Sequence, residues 1–170
     1  MTGRTVTARP ITPEGFAPFG DVISTAGGND EMMNDARFTR YRDLAGVDVA
    51  GRAALSIIRS RQATPLPYEF ELLERHPLGS QAFIPLARAV FVVVVAPRGD
   101  VVDIDRVRAF VTDGSQGVNY ARGVWHMPLI ALEEGQEFLV VDRAAGEDGV
   151  NYEELRLDAP VTLQLGDGVG

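Results

Sequence analysis

The run Ala89-Val90-Phe91-Val92-Val93-Val94-Val95-Ala96 is the most apolar of the chain. Its centre, Phe91 to Val95, does not alternate with period two, so the strand it predicts, Val90 to Ala96, has both faces covered and lies in the middle of the core. It is far short of the roughly 20 residues that a membrane helix requires.

Outward from this run, helical periodicity is scarce and turn residues are frequent, with 18 glycines and 10 prolines. Further strands are predicted at Ala54 to Arg59, Gln81 to Pro85, Val107 to Val111, Gly117 to Tyr120, His126 to Leu132, Glu137 to Asp142 and Pro160 to Leu165. Strands at such short spacing predict a β-sandwich or barrel. Thr12-Pro13-Glu14-Gly15-Phe16 pairs an N-cap threonine with a proline at the first helical position, and Gly15 keeps that helix short. Val101 to Arg106 predicts a second short helix or a turn. Thr25 to Ala36 reads as a mobile loop, as does Ala144 to Gly149. No linker divides residues 1–170, so a single domain is expected.

The side-chain inventory excludes much chemistry. All 16 cationic residues are arginine, against 24 acidic ones, for a formal charge of −8. Without lysine there is no Schiff base and no Walker-type phosphate lysine. Without cysteine there is no thiolate nucleophile, disulfide or iron–sulfur cluster. Two histidines cannot make a three-histidine metal centre within one chain. The acidic balance argues against nucleic acid and an anionic membrane surface as partners. The first ten residues lack the apolar stretch of a signal peptide, so a cytoplasmic location is expected.

Both histidines lie among glycines and turn signals. In Glu74-Arg75-His76-Pro77-Leu78-Gly79-Ser80-Gln81, an extended backbone puts Glu74 and His76 on one face, and Gln81 returns on the next strand. In Gly117-Val118-Asn119-Tyr120-Ala121-Arg122-Gly123-Val124-Trp125-His126, Gly123 permits a tight bend that delivers His126 to the start of a strand. The spacings resemble the two cupin motifs. Glu74-x-His76-x4-Gln81 matches the first, with Glu and Gln in place of His and Glu. Ala121-x-Gly123-x-x-His126 matches the second, with alanine for proline.

A closer resemblance covers nearly the whole chain. Phe19-Gly20-Asp21-Val22-Ile23, Arg40-Tyr41-x-Asp43-Leu44, Leu73 to Pro85, and Gly117-Val118-Asn119-Tyr120 followed by Val124-Trp125-His126 resemble the ureidoglycolate lyase family. The resemblance implies a mainly β fold, a cupin-like antiparallel β-barrel of jelly-roll type with a few short helices. It also implies a homodimer that splits ureidoglycolate into urea and glyoxylate in allantoin breakdown. Two positions depart from the family: Met127 stands where many members carry a second histidine, and Ala36 stands where a glycine is common.

Ureidoglycolate carries a carboxylate, a hydroxyl and a ureido nitrogen on one carbon. Its collapse needs a base for the hydroxyl proton, an acid for the departing nitrogen and a partner for the carboxylate, but no covalent nucleophile. The resemblance and this chemistry nominate His126 and His76 as candidate bases, with Glu74 setting imidazole tautomer and basicity. Arg40, Arg59, Gln81, Asn34 and Tyr120 are the candidate substrate contacts. A divalent ion of the Ni²⁺ type, associated with the family, would be held by His76, His126, Glu74 and Gln81; no organic cofactor is expected. An amidohydrolase releasing ammonia and carbon dioxide, and a non-catalytic cupin binding a small carboxylate, are the alternatives.

Overall fold

The strand Phe91–Ala96 separates two hydrophobic layers. Val92, Val94 and Ala96 point into one cluster, and Phe91, Val93 and Val95 into the other. A strand buried on both faces has no solvent side to mark with polar residues, which is why its sequence does not alternate. Burying each of these valines is worth about 1.5–3 kcal/mol relative to exposure.

The computed structural model describes residues 3–27 and 29–167. Its elements run β1 (Arg4–Pro10), α1 (Pro13–Phe16), β2 (Gly20–Ile23), β3 (Asn29–Met33), β4 (Phe38–Arg42), β5 (Ala53–Arg59), β6 (Tyr68–Arg75), β7 (Gln81–Pro85) and β8 (Phe91–Ala96). A 3₁₀ turn (Ile104–Arg106) then precedes β9 (Arg108–Val111), β10 (Gly117–Tyr120), β11 (Trp125–His126), β12 (Ile130–Ala131), β13 (Glu137–Arg143) and β14 (Glu153–Leu165). Thr12 caps α1 by accepting from the backbone N–H of Gly15, as its position before proline predicts.

The larger sheet has the order β11-β6-β14-β1-β9-β8-β12, and β11 also pairs with β8. Strands β6, β14, β1, β9, β8 and β11 therefore close into a six-stranded barrel. Every one of them sends apolar side chains into the same cluster, from Val6 and Leu73 to Trp125 and Leu163, which fills the lumen. The fold is a mainly β barrel, as expected, but the barrel is mixed: β1 runs parallel to both β14 and β9. A second sheet, β2-β10-β7-β13-β5, covers one outer face of the barrel. Phe16, Phe83, Tyr120, Phe138 and Val140 pack there against Phe91, Val93 and Val95.

Several strands escaped the sequence reading. β1 and the first part of β14 mix polar and apolar residues, and β6 opens Tyr68-Glu69-Phe70-Glu71 before its apolar pair Leu72-Leu73. The span His126 to Leu132 is two short strands rather than one, because Pro128 supplies no N–H to a ladder. In the segment expected to be a loop, Asn29–Met33 is strand β3, paired antiparallel with β4; residue 28 lies outside the described residues. The connecting turn holds Asn34, Asp35 and Ala36 at φ of 54°, 56° and 62°, so Ala36 adopts the left-handed conformation for which glycine is the easier residue. Residues 144–149 carry neither helix nor strand. Among the described residues no helix is long and apolar enough to cross a membrane.

Candidate active site

Alternation along β6 and β11 sets the site. Leu73 is fully buried in the lumen and Arg75 caps that end of it, its guanidinium 4.5 Å from the centre of the Trp125 ring and 2.5 Å from Glu153. Glu74 and His76 fall on the opposite face. On β11, Trp125 belongs to the lumen with Met127, while His126 faces the second layer. His126 stands directly across the ladder from Glu74, with Nε2 3.6 Å from the carboxylate. The bend that delivers it turns at Gly123, φ 76°, whose N–H donates to the carbonyl of His76 and ties the two histidine segments together.

Backbone carbonyls fix both imidazoles. Nδ1 of His126 lies 3.0 Å from the Val124 oxygen and Nδ1 of His76 lies 2.8 Å from the Asn151 oxygen. A carbonyl only accepts, so each Nδ1 carries the hydrogen and each neutral ring presents an Nε2 lone pair. Both Nε2 atoms are buried without a hydrogen-bond partner, and so is the Tyr120 hydroxyl. Buried polar atoms are normally satisfied. Three orphans in one place mark a position for a ligand.

The rings form a row from interior to solvent. Tyr120 stacks on His126 at 4.2 Å, His126 lies 5.2 Å from His76, and His76 lies 6.1 Å from Tyr152. Tyr120 is 1% exposed and Tyr152 47%. Glu74 runs alongside. Burial alone would push its carboxyl up, but His126, then His76 and the Tyr152 hydroxyl, outweigh this and hold it below the ordinary value. Burial, helped by the Glu74 charge, pushes the Tyr120 phenol up. At Tyr152 the main cause of the same upward shift is the hydrogen bond to Glu154.

Glu74, His76 and His126 each offer a ligand atom within 4.8 Å of the others. Two imidazole nitrogens and one carboxylate oxygen, with both lone pairs already turned inward by the Nδ1 bonds, suit a borderline divalent ion. Gln81 sits across the ladder from Tyr120 on β7, and its amide donates to Asp142.

Arg59, Arg40 and Asn34 lie on other elements than this pair of histidines. Arg59 is bound through Nε and Nη2 to Glu137, at the opposite end of β13 from Asp142. Arg40 lies on the separate β3–β4 hairpin opposite Glu31, and Asn34 lies in its turn. Met127 packs among the lumen side chains, with its N–H on Val94. Sequence reasoning missed Asn151 and Tyr152. The available signal was a recurring Asn-Tyr pair: Asn119-Tyr120 supplies the inner end of the row and Asn151-Tyr152 the outer.

A two-layer β-barrel protein with a histidine, histidine and glutamate cluster is thus defined. A profile of the ureidoglycolate lyase family matches residues 3–164, and the chain belongs to that family. A ureidoglycolate lyase of Burkholderia mallei (strain NCTC 10229) is 52% identical over 167 residues, covering 96% of this chain and 95% of its own. The ureidoglycolate lyase of Pseudomonas aeruginosa (strain LESB58) is 51% identical over 154 residues, 89% of each chain. Among solved structures, the rmlC epimerase of Mycobacterium tuberculosis superposes with a TM-score of 0.49 at 14% identity, over 96% of this chain and 85% of that one.

Proposed function

We propose that this chain is a ureidoglycolate lyase whose reaction takes place at the His76 and His126 Nε2 atoms. The observation that carries the reading is the convergence of two tautomerically fixed, unpartnered imidazole nitrogens beside an ionised carboxylate. One Nε2 accepts the substrate hydroxyl proton. The oxygen electrons form the aldehyde double bond, the carbon–nitrogen bond breaks, and its electron pair leaves on the ureido nitrogen. The imidazolium then returns its proton to that nitrogen, giving glyoxylate and urea with no net proton change. Glu74 stabilises the imidazolium across 3.6 Å, and the Tyr120 hydroxyl offers a substrate contact at the closed end. General acid–base help of this kind is worth about 10²–10⁴-fold.

As an alternative to the imidazole base, the same two Nε2 lone pairs of His76 and His126, with Glu74, would hold a divalent ion, and neither ring would then take the hydroxyl proton. When bound, such an ion supplies Lewis-acid polarisation of a substrate oxygen and a counter-charge for the carboxylate. Gln81 remains a proposed further ligand. Chelation followed by readdition of single divalent ions, with kcat and bound metal measured at each step, tests this role; unchanged activity in fully stripped protein rejects it.

The reading extends to a cytoplasmic homodimer in allantoin degradation. Its dimeric part is supported by edge strand β5, where Leu55 and Ile57 are 71% and 64% exposed on one face, a feature that native sheets ordinarily cover. Sedimentation at micromolar concentration checks it. The central test is product analysis: ureidoglycolate consumed should appear as equal urea and glyoxylate, whereas ammonia in place of urea would establish an amidohydrolase.

A further inference from the structure

The exposed end of the ring row has no part in the proton path above. Tyr152 faces His76, its hydroxyl donates to Glu154 and comes close enough to Glu74 to help stabilise that charge. Tyr152, half-exposed, is the solvent end of the ring row whose other end, Tyr120, is buried. When the carbon–nitrogen bond breaks, the ureido carbonyl oxygen shares the negative charge of the departing nitrogen. A neutral donor placed on that oxygen acts chiefly in the transition state.

We propose that Tyr152 is a further catalytic residue, whose hydroxyl turns from Glu154 to donate a hydrogen bond to the ureido carbonyl oxygen of the substrate. This rests on the lyase reading. The phenol keeps its proton throughout, so the proton balance stays that of the imidazole: one proton leaves the hydroxyl and one arrives on nitrogen. A phenol suits the task because two carboxylates, Glu74 and Glu154, flank the position and cannot themselves donate when ionised.

The test compares the wild-type chain with Tyr152→Phe in steady-state turnover of ureidoglycolate and in calorimetric titration with two ligands. N-carbamoylglycine keeps the ureido and carboxylate groups but lacks the hydroxyl; glyoxylate lacks the ureido group. The variant should lose about 10–100-fold in kcat with KM changed by less than about threefold. It should bind N-carbamoylglycine about threefold more weakly and glyoxylate as before, with an unchanged melting temperature. Equal weakening toward both ligands, no weakening toward either, or no binding of N-carbamoylglycine by the wild type overturns the proposal, as does a kcat within about twofold of wild type in an active enzyme. If the wild type fails to turn over ureidoglycolate, the lyase reading falls, while the paired titrations still decide whether Tyr152 recognises a ureido group.

Discussion

The two faces of β11 and its neighbours meet opposite environments. Trp125 and Met127 point into a lumen filled by apolar side chains from six strands, with the indole N–H bonded to the Gly99 carbonyl. His126, between them in sequence, points into the other layer and leaves Nε2 unpartnered although the residue is 1% exposed. Period-two geometry thus lets neighbouring residues serve stability and chemistry separately. The difference teaches that burial at this site is not packing for its own sake: the lumen satisfies its polar atoms and the site withholds partners from its own.

The sharpest way to break that comparison is to delete one residue from each face. His126→Ala should lower kcat by about 10²–10⁴-fold, while its melting temperature falls less than that of a lumen deletion. Leu163→Ala, at a fully buried lumen position, should cost about 2–5 kcal/mol of stability and leave kcat near wild type below its unfolding transition. Turnover and denaturant unfolding measured on both variants check the pair. Near-normal turnover in His126→Ala removes that imidazole from the mechanism.

Much of this division was legible beforehand. Phe91 to Val95 announced a strand covered on both faces, and the spacing of Glu74, His76 and His126 announced three side chains whose ligand atoms lie within 4.8 Å of one another. Each signal is local, and period-two geometry turns it directly into direction. Tyr152 was marked only by the second Asn-Tyr pair and could not be placed, because its position depends on β14 pairing with β6, which sets Glu153 opposite Arg75 across 78 positions of sequence. Arg59 shows a related limit. Arg59 lies within a well-read strand, but its guanidinium is claimed by Glu137 on the neighbouring strand, and pairing of that kind is invisible until the register is known.

A milder challenge comes from position 127. Installing a histidine there, Met127→His, places an imidazole among Trp125, Val94 and Ile130 on the lumen side. It should cost about 1–3 kcal/mol, because the ring is taken out of water without an assured partner, and kcat should not rise. Thermal unfolding and turnover check this. A gain in activity or in metal affinity would mean that residue 127 reaches the site after all, and that the two faces are not independent.

The smallest expected effect is in the pH dependence, and it reads Glu74 directly. The carboxyl is held below its ordinary value of 4.5 because the facing histidines and the Tyr152 hydroxyl outweigh its burial. A depressed carboxyl stabilises the fold above its unfolded value, and that contribution is lost as pH falls through the folded one. Wild-type melting temperature should therefore fall more steeply than that of Glu74→Gln as pH is lowered from about 5 toward 3, by a margin of about 2 °C. Lumen variants such as Leu163→Ala change no titrating group, so their melting curves should shift down uniformly and keep the wild-type acid slope. If Glu74→Gln also keeps that slope, the carboxylate is not electrostatically coupled to the histidines, and only cross-strand proximity joins the two halves of the site.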